Sequence, residues 1–191
     1  MSDLVHRIKT SLEPILELAD PRERISAYHD MPYALFRYEP AEEFDLRKQL
    51  SLLETRLTQK GKRVSRISLA QCLDEAMRSQ RPLEDWFAAE REQGTETMVE
   101  TVHSILSDDA LLVDLVAMRM PDHPDPLRDV VFIQRAGALF PMYRVSALLE
   151  QLKGRITVPT VLFYPGTLDG AVGLRFMGVL AADPNYRPKI Y

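Results

Sequence analysis

Two runs in the last third of the chain carry apolar residues without polar alternation, Val130-Val131-Phe132-Ile133 and Thr160-Val161-Leu162-Phe163-Tyr164. Strands of that kind are buried on both faces. The helical pattern from Arg144 to Leu152 between them is long enough to cross one face of a sheet, so the segment predicts a parallel βαβ unit. Upstream, Leu4, Ile8, Leu12, Ile15, Leu16 and Ala19 recur at helical spacing over residues 2–19, with Pro14 placed to kink or divide the element. Tyr33 to Tyr38 is aromatic-rich and closed by Pro40, which predicts the first strand. Leu46, Leu50, Leu53 and Leu57 then mark one face of a helix over 41–60 that Gly61 stops, and Arg63 to Leu69 gives a second strand leading into a helix from about Ala70 to Ser79.

The alternation breaks over 82–120, where residues 82–91 and 96–120 both read as helical with Gly94 between them. Val99, Val102, Ile105 and Leu106 form a stripe there, and Ser107-Asp108-Asp109 is expected to cap a fresh helix over 110–120. Pro121 to Pro126 returns the chain to the sheet. The pattern predicts a single α/β domain over 1–191: a first βαβ half (30–80), a helical insertion (82–120), and a second βαβ half with a C-terminal edge (128–191). The fold class is a three-layer, Rossmann-like or P-loop-like arrangement around a mostly parallel sheet of about four to five strands. Pro188, in the final run Tyr186 to Tyr191, suits an edge strand, where the chain could pair with a second copy or be shielded by a partner.

Composition narrows the role. A net charge of -4 argues against a surface built chiefly to neutralise phosphates, and the single cysteine, Cys72, excludes an internal disulfide and a thiolate cage. Cys72 shares the apolar stripe of its helix with Leu69, Leu73, Ala76 and Met77, so a buried, inert thiol is expected. The charged start has no signal-like apolar core and no later stretch approaches a membrane span, which makes the cytoplasm the expected location. From Glu90 to Asp114, seven carboxylates oppose Arg91 alone; the insertion is either a solvated acidic face or a docking surface for a basic partner.

Motifs with a built-in chemistry are missing. Gly61-Lys62 lacks the upstream glycine and the following Ser or Thr of a Walker A phosphate loop, and neither a G-x-S-x-G elbow nor a G-x-G-x-x-G fingerprint occurs. His6, His29, His103 and His123 never fall at metal-ligand spacing, so no metal, no cofactor and no catalytic residue are expected. Pro121-Asp122 before a strand has the form of a restriction-type nuclease carboxylate, but the second acid is absent from Phe132-Ile133-Gln134-Arg135.

Two candidate sites remain. Arg56, Lys60, Lys62, Arg63 and Arg66 span a helix end and the next strand; Lys62, Arg63 and Arg66 are candidate nucleic-acid contacts, although basic residues at a helix C-terminus also complement its dipole. The glycine-bearing run Phe163 to Gly173 leaves the carboxyl end of a buried strand, where ligands and partners gather in open parallel sheets. Within it and just beyond, Tyr164, Pro165, Gly166, Asp169, Gly170 and Arg175 are the candidate partner- or ligand-binding residues; a tight turn is the alternative reading.

Val130 to Ile133, Gly137 to Leu149, Val158 to Gly166, Asp169-Gly170 and Asn185-Tyr186-Arg187 together resemble the signature of the BrxB family, the small B component of BREX (bacteriophage exclusion) systems, over essentially the whole chain. The turn after Ile133 departs from the family pattern, since Gln134-Arg135-Ala136 leave Gly137 as its lone glycine, which removes the expectation of a backbone-cradled anion there. The resemblance implies a non-enzymatic subunit of an antiviral complex, with partners among the other BREX components, the alkaline-phosphatase-like PglZ first among them. Nucleic acid would be reached only through the complex. The fold leaves two further readings open: a ligand- or nucleotide-binding regulator descended from a nucleotide enzyme, and a DNA-contacting subunit.

Overall fold

Phe36, Phe132 and Phe163 come from three strands and meet ring to ring at the centre of one sheet, at centroid separations of 5.7 Å and 5.4 Å from Phe163. A computed structural model of the chain describes residues 2–26, 31–108, 110–170, 173–182 and 188–191. The first helical region consists of α1 (Asp3–Arg7) and α2 (Glu13–Leu16), joined by the π-helical stretch Ile8–Leu12. Pro14 has no N–H to give, and the widened turn before it lets the Glu13 N–H reach the Ile8 carbonyl, so the helix passes the proline without ending. After α3 (Arg22–Ile25) come β1 (Tyr33–Tyr38) and α4 (Glu43–Gln59), and Gly61, at φ 84°, closes that helix in the left-handed region.

Next follow β2 (Arg63–Ser68) and α5 (Leu69–Gln80), with the Ser68 hydroxyl accepting the Gln71 N–H as its cap. The insertion is α6 (Leu83–Gln93), α7 (Thr95–Asp108) and α8 (Leu111–Ala117). The expected cap of the third insertion helix needs correction: Ser107 and Asp108 close α7, Asp109 lies outside the described residues, and α8 begins after Ala110 at φ 50° without a side-chain cap. The last elements are β3 (Asp129–Gln134), α9 (Val145–Gln151), β4 (Thr160–Asp169), β5 (Gly173–Phe176) and β6 (Lys189–Ile190).

The sheet order is β2-β3-β4-β1-β6, all parallel, with β5 pairing antiparallel to β4 off that path. It is the mostly parallel α/β sheet expected, with six strands in place of four to five. Side chains alternate between two cores. Leu4, Ile8, Leu12 and the leucine stripe of α4 cover Phe36, Phe132 and Phe163 on one face. On the other, α5, α7, α8 and α9 cover Leu35, Ile133, Leu162 and Tyr164. Cys72 is fully buried there, and burial pushes its thiol pKa up. At the sheet's edge, β6 follows Pro188 and adds two residues beside β1. Arg7 ties that edge to the first helix, donating to the Arg37 carbonyl at 2.6 Å and the Tyr191 carbonyl at 2.7 Å.

Candidate interaction site at the carboxyl edge of the sheet

Of the run Phe163 to Gly173, read from its glycines as a loop, Phe163 to Asp169 continue β4 and Gly173 opens β5. Thr160 to Pro165 pair in parallel with β1, and from Gly166 to Asp169 the same strand turns to antiparallel pairing with β5. Pro165 cannot donate to the ladder, which suits the place where one pairing ends and the other begins. A Cβ on Gly166 would strike the Arg175 carbonyl oxygen, and one on Gly173 would come within 2.5 Å of the Asp169 carbonyl oxygen. These glycines mark close approach of two backbones, and only Gly170, at φ 67°, serves a turn conformation.

The result is a two-stranded arm beyond the carboxyl edge of the sheet. At its root the Tyr164 and Phe176 rings lie 5.4 Å apart, with Phe140 a further 6.0 Å from Phe176. Arg37 reaches the Gly166 carbonyl at 3.3 Å. At its outer end Arg175 Nε donates to Asp169 Oδ2 at 2.9 Å, one side chain from each strand. The six candidate residues therefore do not converge: Tyr164, Pro165 and Gly166 are buried in the root, whereas Asp169, Gly170 and Arg175 are exposed at the end. Leu168 is 53% exposed and Val179, just past β5, is 68% exposed, which leaves apolar surface beside the charged pair.

Beside the root lies a crevice of about 280 Å³ that motif reading missed. The chain leaves β1 toward α4 on one face and leaves β3 toward α9 on the other, so a gap opens above the strand ends between them. Glu43 and Arg47 form one wall, Arg135 and Gly137 the other, with Pro165 and Met177 between. Glu43 is already bonded twice: Arg47 Nε donates to Oε1 at 2.8 Å and the Tyr38 hydroxyl donates to Oε2. Burial, and then the facing carboxylate, push the Tyr38 pKa well above its ordinary value. Arg135 stands at φ 60°, and among the described residues its guanidinium has no hydrogen-bond or ion-pair partner. A crevice with a committed carboxylate and a guanidinium without a partner among the described residues can hold an anion. The sequence signal that could have found it was an arginine directly after the carboxyl end of a buried strand.

Within the basic run Lys62 is buried, Arg56 and Arg66 are half-buried, and Lys60 and Arg63 are exposed. Lys62, 6% exposed, donates to the Leu18 and Leu127 carbonyls at 2.5 and 2.8 Å, and burial lowers its pKa. Arg63 pairs with both oxygens of Asp129 at 2.7 and 2.9 Å, Arg66 lies 2.5 Å from Glu54, and Arg56 pairs with Glu13 at 2.5 Å. Lys62, Arg63 and Arg66 thus each have a partner within the fold, and Arg63 keeps its side chain exposed. Among the described residues no group of three or more His, Cys, Asp or Glu side chains could hold a metal ion.

A family model for the BREX protein BrxB matches residues 65–190, which include β2 from Ser65 onward, β3 to β6 and every residue of the arm. The chain belongs to the BrxB family. A BrxB-family relative, the BREX protein BrxB of Bacillus cereus (strain H3081.97), is 26% identical over 188 residues, covering 96% of each chain. No solved structure matches the chain. Membership makes this protein a component of a BREX system. No helix among the described residues is long and apolar enough to cross a membrane.

Proposed function

We propose that this BrxB-family chain is a non-catalytic assembly subunit, a single α/β unit working in the cytoplasm, that holds another BREX component through the β4–β5 arm. The observation that carries the reading is the arm itself. It leaves the sheet after Pro165, is locked by backbone contact at Gly166 and Gly173, and presents Leu168 beside the Asp169–Arg175 pair. A rigid element with an apolar residue framed by a charged pair loses little conformational freedom when it docks. At the strand ends Glu43 is occupied by two donors, and the Cys72 thiol is buried. PglZ, the alkaline-phosphatase-like component, is the partner we expect. Tagged chain purified from cells expressing the other components should bring PglZ down in fixed ratio, and recovery of the chain alone would end the adaptor reading.

The free guanidinium of Arg135 favours a second reading, in which the crevice takes a small anionic ligand such as a nucleotide and regulates the complex. A ligand at a hundred times its Kd adds about 2.7 kcal/mol of stability. A thermal-shift screen with nucleotides therefore checks it, and a silent screen removes it. Contact with DNA by Lys62, Arg63 and Arg66 has less support, because each already has an intramolecular partner.

A further inference from the structure

The helical insertion carries an apolar groove of about 360 Å³ on the opposite side of the sheet from α4, between α6 and α7. Its lining includes Leu83, Trp86 and Phe87 from α6 and Met98, Val99 and Val102 from α7. Met77 and Met142 contribute two more thioethers, flexible and polarisable groups that adapt to an incoming side chain. Trp86 is fixed in place: its Nε1 donates to the Met77 carbonyl at 3.1 Å, and the Arg81 guanidinium lies 3.7 Å from the ring centroid. With its polar edge satisfied, the indole offers the groove only apolar surface. Phe87 remains 53% exposed, a large ring left in water unless something covers it.

The charge around the groove names its occupant. Glu90 is in the groove's lining, and Glu84, Asp85, Glu92, Glu96 and Glu100 are exposed elsewhere on the same two helices, against Arg91 and the stacked Arg81. Both walls are helices, so an extended segment would find no strand edge to pair with, whereas apolar side chains at i, i+3, i+4 and i+7 of a helix can enter a groove of this kind. We propose that the groove between α6 and α7 seats the apolar face of a basic amphipathic helix supplied by a partner protein. Lysines and arginines flanking that face meet the acidic rim, which steers encounter and fixes orientation. This rests on the assembly reading, adds a second contact surface to it, and states the chemistry of what binds there.

Trp86 is the chain's single tryptophan, so its emission reports occupation of the groove directly. The test uses the full chain and three labelled peptides: a designed Leu/Lys amphipathic helix, its Leu/Glu counterpart, and a scrambled Leu/Lys peptide of the same composition with no apolar face. The Leu/Lys helix should shift Trp86 emission and bind at least about tenfold tighter than either control. Phe87→Glu should weaken it by about tenfold or more, and Glu90→Lys with Glu96→Lys should transfer the preference to the Leu/Glu helix. Both sets change exposed side chains, and if the Phe87 variant fails to fold, the charge-reversed variant still decides. Equal binding of the scrambled peptide, or a preference unmoved by the rim reversal, overturns the proposal. Peptide binding needs no other BREX component, so its failure leaves the co-purification test of the arm standing, and failure of co-purification leaves the groove measurable.

Discussion

The two faces of the sheet spend their charge differently. On the α4 side, long cations bridge separate elements: Arg7 reaches β1 and the C-terminal edge, Arg56 reaches the first helical region, and Lys62 joins the carbonyls of two loops. On the insertion side, Glu84, Asp85, Glu92, Glu96 and Glu100 stand in solvent without an ion pair among the described residues. Residues of similar polarity are thus structural in one place and available in the other. The difference lies in burial and in unpaired carbonyls within reach, which local sequence does not display. Within the basic run Lys62 is internal wiring, while the acidic run places Glu90 in the lining of a groove.

Charge reversal breaks the contrast where it is strongest. Lys62→Glu places an acceptor against the Leu18 and Leu127 carbonyls in a site 6% exposed, and should cost about 3 kcal/mol or more in chemical denaturation. A loss under about 1 kcal/mol would show that Lys62 is not wired as described. Gly166→Val comes next, since the added atoms meet the Arg175 carbonyl and the Tyr164 ring, and the backbone must move to admit them. We expect a loss of about 2 kcal/mol, with hydrogen-exchange protection falling in the β4–β5 ladder while the β1–β4 ladder keeps its own.

Alkaline titration sharpens the comparison further. Burial raises Tyr38, Tyr143 and Cys72 above their ordinary values of 10.0, 10.0 and 9.0, so the unfolded chain releases these protons first. Their contribution is complete below pH 9 and begins to be lost as the pH passes 9 for Cys72 and 10 for the tyrosines, the loss continuing up to their raised folded values. Lys62 works in the opposite direction, because its lowered pKa means that the unfolded chain keeps the proton longer and stability gains as pH rises toward 10.5. Three groups outweigh one, and thermal midpoints should fall above pH 9; Tyr38→Phe should flatten the fall by up to about 1.4 kcal/mol per pH unit. A midpoint level to pH 10.5 would contradict the burial assigned to these groups. The smallest effect is expected from Glu96→Lys, which should leave stability within about 0.5 kcal/mol by the same denaturation measurement. A large loss there would erase the distinction between the two faces.

Much of this was readable from hydrophobic pattern. The runs at Val130 to Ile133 and Thr160 to Tyr164 announce buried strands, and the leucine stripe from Leu46 to Leu57 announces the helix over Phe36 and Phe163. β5 was hidden because its alternation, Leu174 and Phe176 between Gly173 and Arg175, runs for only four residues, and because Gly166 and Gly170 read as turn residues when just one of them serves a turn. The crevice was hidden for another reason. Glu43, Arg135 and Pro165 are far apart in the chain and meet only through the strand order, so no spacing rule connects them. The groove is similar, joining Met77 to Met142 across the insertion.

Calorimetric titration of purified PglZ-type component into this chain tests the central claim most directly. The account predicts saturable binding that Leu168→Glu, an exposed substitution on the arm, weakens by at least about tenfold. Absence of heat with PglZ and with every other component of the system, while those components assemble normally without this chain, would contradict it.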